Sequence, residues 1–271
     1  RGYYPPSPQV YAKNDPHRIL PAIANLQPSK YPTFGTPDAK DIRDLGRNGS
    51  YLVIRQLEQD VAAFKSVTFD MAKSLMADHV NPGSSVDKMI NAKKVQKIIQ
   101  AKMIGRWQDG TSLVTRPISL TDIASGNSEL PEPGDTPISE LNAKHDNEYL
   151  FGRDDPQGHA CPFGSHVRRS FPRESLSPND PKDLDVSNRH RILRRGRAYE
   201  DKEAGTEGTL FVCLNADLDR QFEFIQHTWA NNPNFNGLYK DPDPIIGARS
   251  MNGFEQDQFT LQKEPSRTKI C

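Results

Sequence analysis

The run Thr209-Leu210-Phe211-Val212-Cys213-Leu214-Asn215 constrains this chain most. Aromatic and β-branched residues follow one another there without a helical period, which is the pattern of a buried strand. A second run of this kind, Ser50-Tyr51-Leu52-Val53-Ile54, follows an Asn48-Gly49 turn signal. Between the two the period changes. Leu57, Val61, Phe64, Met71 and Leu75 recur at helical spacing, predicting a helix from Gln56 to Ala77 that Pro82-Gly83 breaks. Ser84, with Asp87 three residues on, reads as the capped start of another helix. That helix carries Val86, Met89, Ile90, Val95, Ile98 and Ile99 on one stripe and ends near Gly105. Its lysines (Lys88, Lys93, Lys94, Lys97, Lys102) read as a solvated face. After the second strand, Asp217 is a plausible N-cap, and Leu218, Phe222, Ile225 and Trp229 form an apolar stripe. Strand, two helices, long loop, strand and helix make an α+β chain rather than an alternating βαβ one.

Composition narrows the function classes. Thirty-five basic residues balance 35 acidic ones, whereas a nucleic-acid footprint normally shows a basic excess. A membrane span needs about 20 mostly apolar residues, and the sequence has no such run. The mean hydropathy is −0.73, and 22 prolines punctuate the chain, so much of it reads as connector. Residues 1–45 are proline-rich without periodicity and read as an irregular arm; residues 108–160 read as a long polar loop. The chain opens on Arg1-Gly2-Tyr3, with neither an initiator Met nor an apolar leader segment. Cys161, Cys213 and Cys271 have neither disulfide-framework nor zinc spacing. Asn48-Gly49-Ser50 matches a glycosylation sequon but abuts a buried strand.

The chemistry concentrates in residues 158–199. His166 lies in a turn shaped by Gly and Pro, with Arg168 and Arg169 beside it, and Arg189, Arg191, Arg194, Arg195 and Arg197 follow as a second cluster. Three readings compete on residue types alone. The arginines can hold phosphate or carboxylate groups bidentately. They can bind RNA, against the neutral total charge. Or His166 can ligate a metal or haem iron, with arginines holding propionates and polarising a peroxide. The plainer alternative pairs the arginines with carboxylates and leaves His166 as a hydrogen-bonded core residue. His159, His190 and His227 have no paired metal-ligand spacing.

Cys161-Pro162-Phe163-Gly164-Ser165-His166-Val167-Arg168-Arg169, then Pro172-Arg173, resembles the C-P-x-x-A-H-I-R-x-x-N-P-R segment of the dye-decolorising peroxidases. Arg191-Ile192-Leu193-Arg194-Arg195-Gly196 through Tyr199 is similar to that family's R-I-x-R-x-G-x-x-Y segment. Leu45 to Val53, Gly105 to Gly110, and Gln221-Phe222-Glu223-Phe224 onward to Gly237-Leu238-Tyr239 resemble further segments of its longer members, in the same order. The resemblance implies ferredoxin-like antiparallel sheets packed with helices, an α+β fold incomplete at both ends. It divides the chain into the arm 1–45, a peroxidase domain 46–265 and a truncated tail 266–271.

The resemblance also implies chemistry. His166 becomes the axial ligand of haem b, and Arg194, or Arg195 if the register slips by one, the distal residue that stabilises charge as the peroxide bond breaks. Arg168 and Arg191 become candidates for the propionates, and an acidic residue pairs with His166. In Tyr239-Lys240-Asp241-Pro242-Asp243-Pro244, Asp241 is preferred over Asp243 for that partner. Hydrogen peroxide and aromatic electron donors such as dyes or phenols are the implied partners, with no nucleic acid or membrane, and with homo-oligomerisation left open. Tyr149, Tyr199, Trp107, Trp229 and Tyr239 are relay candidates, Trp229 reading rather as core. One departure counts against turnover: no G-x-x-D-G motif, the family's acid–base Asp segment, occurs in these 271 residues, and Asp109-Gly110 does not replace it. The chain therefore reads as lacking an N-terminal portion and a last strand. The alternative function is haem binding without peroxidase turnover, and a weaker one is an anion-binding module.

Overall fold

The computed structural model describes residues 50–79, 85–118, 147–177, 180, 182–248, 258–262 and 267–270. The arm 1–45, the Asn48-Gly49 turn, the Pro82-Gly83 break, Ser84 and loop residues 119–146 lie outside them. The chain divides into two units, one of residues 1–60 and 185–225, the other of residues 61–184 and 226–271.

The first unit is built on a three-stranded antiparallel sheet, β1 (Tyr51–Glu58), β2 (Leu193–Asp201) and β3 (Thr206–Asn215), in the order β1-β3-β2. The register runs Tyr51 opposite Asn215 to Glu58 opposite Gly208 on one side, and Leu193 opposite Leu214 to Asp201 opposite Thr206 on the other. Both runs form strands, but β1 is not the buried strand expected, since Tyr51, Leu52 and Ile54 are exposed. It also continues through Gln56, Leu57 and Glu58, where the spacing predicted helix. Those residues pair with Leu210, Thr209 and Gly208, and a ladder across a long neighbour outweighs a weak local period. Side chains alternate between faces, so Arg55, Phe211 and Arg194 share one face and Ile54, Val212 and Arg195 the other. On the first face Phe211 packs against Phe222 at 6.0 Å, and the Arg55 guanidinium lies 4.9 Å from the Phe222 ring. On the second, Leu52 and Ile54 are exposed.

Helix α5 (Asp183–Arg189) precedes β2, and after β3 come the helical segments α6 (Asp219–Glu223) and α7 (Ile225–Ala230). Asp217 caps as predicted, its carboxylate accepting the Arg220 N–H at 3.0 Å. The turns are wider than an α-helix: the Glu223 N–H donates to Leu218 O and that of Asn231 to Gln226 O, five residues back.

In the second unit, α1 (Val61–His79) and α2 (Ser85–Ile104) pack together. Ala72, Val95, Ile99 and Met103 form one core with Phe259 and Leu261 of β4 (Phe259–Gln262). The predicted α2 stripe is thus buried at Val95, Ile98 and Ile99. A second core joins Ile98, Ala101, Trp107, Leu113, Tyr149 and Cys161 with Phe151 of the short helix α3 (Phe151–Asp154). Trp229 is buried, in line with its core reading, and Tyr239 is exposed. Strand β4 pairs antiparallel with β5 (Arg267–Ile270), which lies within residues 266–271. Among the described residues no helix is long and apolar enough to cross a membrane.

Candidate haem-ligand site

His166 opens the short helix α4 (His166–Ser170), and two glycines let the chain approach it closely. Gly105, just past the end of α2, has φ +96°, and a Cβ there would sit 2.9 Å from Val167 Cβ. A Cβ on Gly164 would sit 3.0 Å from the Asp241 carboxylate. Larger residues at either position would push α4 away from its supports.

The turn leading into α4 is organised by buried charge. Asp155 accepts the N–H groups of Ala160 at 3.0 Å and Cys161 at 2.8 Å. Arg168 is fully buried and donates to Asp155 Oδ2 at 3.1 Å and Cys161 O at 2.8 Å. The Lys102 ammonium donates to Ile118 O at 2.9 Å, His159 O at 2.6 Å and Ala160 O at 2.7 Å. This corrects the reading of Lys102 as part of a solvated face: it is 2% exposed. Burial pulls its pKa down to about 8, against the opposing pull of Cys161 and Asp155. Arg168 is corrected too. Its guanidinium is buried, with both terminal nitrogens engaged by Asp155 and main-chain carbonyls rather than presented for a propionate. Cys161 is buried, and burial pushes its thiol up to about 11 despite Arg168, so it stays a neutral core group.

At the centre, His166 Nδ1 lies 2.8 Å from Asp243 Oδ2. The imidazole is 29% exposed and the carboxylate wholly buried. Asp243 Oδ1 meanwhile accepts the N–H groups of Ile245 at 2.8 Å and Ile246 at 3.0 Å. Burial alone would raise the Asp243 pKa, but His166 and the two N–H donors outweigh it and hold the carboxyl below its ordinary range. The expectation that Asp241 partners His166 is therefore overturned. Asp241 Oδ2 accepts the Thr260 N–H at 2.7 Å, Asp241 Oδ1 lies 3.7 Å from Arg169, and burial raises its pKa. In Asp241-Pro242-Asp243, the Asp243 N–H is fixed on Ala230 O at 2.8 Å, and it is Asp243 that reaches the ring.

His166 Nε2 has no hydrogen-bond partner among the described residues. An imidazole with one nitrogen fixed on a carboxylate and the other unclaimed is the donor arrangement that suits an iron ligand. The residues present fit that group.

Arg194 lies on the edge strand β2, exposed, opposite Cys213, with no side-chain partner among the described residues. Arg191 precedes that strand, half-buried, and its carbonyl accepts the Gln221 amide. Arg194 and Arg191 belong to the first unit and His166 to the second. His190 stacks on Phe224 with centroids 3.9 Å apart, a packing role. Lys102 and Asp155 went unnoticed as supports of the site, yet Lys102 stands seven residues after Val95 and so on the buried stripe.

Residues 140–240 match the profile of the Dyp-type peroxidase C-terminal family. Over 258 residues the chain is 32% identical to a dye-decolorizing peroxidase of Mycena epipterygia, covering 87% of this chain and 42% of that protein. A DyP-type peroxidase crystal structure from Anabaena sp. shares 27% identity and a TM-score of 0.56, covering 81% of this chain and 40% of that one. A variant of the dye-decolorizing peroxidase from Pleurotus ostreatus has a TM-score of 0.61 at 24% identity, over 88% of this chain and 49% of its own, a likeness of fold. The chain thus spans less than half the length of these relatives. Profile, sequence relatives and fold agree with the His166 segment that first suggested them, and the chain belongs to the DyP-type peroxidase family.

Proposed function

We propose that this chain supplies the proximal haem site of a peroxidase that uses hydrogen peroxide to oxidise organic donors such as dyes and phenols. The observation that carries the reading is the His166–Asp243 couple, 2.8 Å between Nδ1 and Oδ2, with Nε2 left to bind the iron of haem b. The bound haem would supply the redox centre at which peroxide gains two electrons and donors lose them one at a time, so that H2O2 and two donor molecules AH give two waters and two A radicals. Asp243 keeps the Nδ1 proton on the ring facing it, which fixes the tautomer and raises the donor strength of Nε2. Arg194 is the candidate for stabilising negative charge as the peroxide bond lengthens, because a guanidinium does so without changing its own protonation. Arg191 is the remaining candidate for a haem propionate.

A second reading, haem binding without turnover, rests on the absence of a G-x-x-D-G motif from the 271 residues, since general acid–base help is worth about 10²–10⁴-fold. Titration with haemin tests both. The proposal expects a stoichiometric Soret band that His166→Ala abolishes, and peroxide-dependent oxidation of a phenolic donor that Arg194→Leu lowers. Equal haem binding by wild type and His166→Ala would end the haem reading. A Soret band with no donor oxidation would leave the second reading standing.

A further inference from the structure

We propose that Arg169 is the positioning residue of the His166–Asp243 couple, tying the turn before His166 to the segment that carries Asp243. The inference rests on His166 being the haem ligand, but its geometry stands within one unit of the fold. Arg169 is fully buried, three residues after His166 on α4. Its Nε donates to Gly164 O at 3.1 Å. One terminal nitrogen donates to Trp229 O at 2.9 Å and Asn232 O at 3.0 Å. The other donates to Asp241 O and lies 3.7 Å from Asp241 Oδ1. A guanidinium has five N–H donors in a planar fork, and here four carbonyls and one carboxylate surround them. The plane also lies 5.0 Å from the Phe235 ring.

These acceptors belong to three segments. Gly164 precedes His166 by two residues, Asp241 precedes Asp243 by two, and residues 229–232 underlie the latter, since Asp243 N–H donates to Ala230 O at 2.8 Å and Asp241 N–H to Pro233 O at 3.1 Å. The Asp243 N–H is fixed on Ala230 O, and its carboxylate accepts the Ile245 and Ile246 N–H groups of its own segment. Besides the couple itself, a further hydrogen-bonded link among the described residues runs indirectly through β4, from Phe163 N–H to the Gln262 side chain and from Thr260 N–H to Asp241. Arg169 makes a direct connection. An outer partner of this kind acts on a ligand through distance and orientation, and losing one typically costs about 10- to 100-fold in metal affinity.

The test uses Arg169→Met, Arg169→Lys and, as a control, Arg173→Met. Arg173 donates to Asn147 O at 2.9 Å and Tyr149 O at 2.7 Å, and touches neither His166 nor Asp243. In haem-free protein labelled with ¹⁵N-histidine, exchange of the His166 Nδ1 proton with solvent reports the bond to Asp243. We expect Arg169→Met to exchange faster by about tenfold or more, Arg169→Lys to fall between, and Arg173→Met to match wild type even if it unfolds more easily. With haem bound, Arg169→Met should raise the reduction potential and Arg173→Met should not. Unchanged exchange in Arg169→Met, or an equal change in Arg173→Met, overturns the proposal. If Arg169→Met does not fold, Arg169→Lys decides: accelerated exchange supports the role and unchanged exchange refutes it. Should His166→Ala bind haem normally, the haem reading fails while the exchange measurement still judges Arg169.

Discussion

Two stretches of this chain are dense in arginine, and the fold treats them in opposite ways. Arg168 and Arg169 on α4 are wholly buried and bound to carboxylates and main-chain carbonyls. Arg194, Arg195 and Arg197 lie exposed on the edge strand β2. The same side chain is a fastener in one place and a presented charge in the other. The reason is local. Alternation along β2 sends Arg194 to one face and Arg195 to the other, and an edge strand has water on its open side. The turn before α4 instead leaves carbonyl groups away from water, and a planar five-donor group satisfies several at once.

The comparison can be broken by removing charges from each cluster. Arg168→Met should have the largest effect, because it strands the buried Asp155 carboxylate; a loss of about 3–5 kcal/mol is expected in chemical denaturation. A loss under about 1 kcal/mol would mean that the buried cluster is no fastener. Lys102→Met should come next, at about 2–3 kcal/mol, because three carbonyls lose their donor. It also has a pH signature. Between about 8 and the ordinary 10.5, the folded state has released the Lys102 proton and the unfolded chain has not. Stability from this group then rises with pH. The gap between wild type and Lys102→Met should widen from pH 7.5 to pH 10, by up to about 3 kcal/mol over the whole window; a gap that narrows contradicts the assignment. Gly164→Ala should cost about 1–3 kcal/mol by crowding Asp241. Arg195→Ala should be smallest, within about 0.5 kcal/mol, and a cost as large as that of Lys102→Met would erase the distinction between the clusters.

Much of this was legible in the residues. The two strand runs and the α2 stripe follow local periodicity, and both units are built around them. His166 stood out because a His in a Gly- and Pro-shaped turn beside arginines is unusual, and the family resemblance then assigned it a role. What stayed hidden depends on distant partners. Gln56 to Glu58 joined a strand because β3 lies beside them, which no local period encodes. The choice between Asp241 and Asp243 is set by the bonds of Asp243 N–H to Ala230 and of Asp241 to Thr260, both made across sequence separation. Lys102 looked like a surface charge because charge is normally solvated, and Arg168 like a propionate partner because of the family resemblance. Only the carbonyls that surround them explain their burial.

The central claim is that His166 and Asp243 work as one unit toward haem. Its most direct test is the reduction potential of haem bound to wild type, Asp243→Asn and Asp241→Asn. A carboxylate on Nδ1 strengthens the imidazole donor and favours ferric iron. The account predicts a clear rise in potential for Asp243→Asn and a much smaller one for Asp241→Asn. An unchanged potential in Asp243→Asn, or the larger rise in Asp241→Asn, would contradict it.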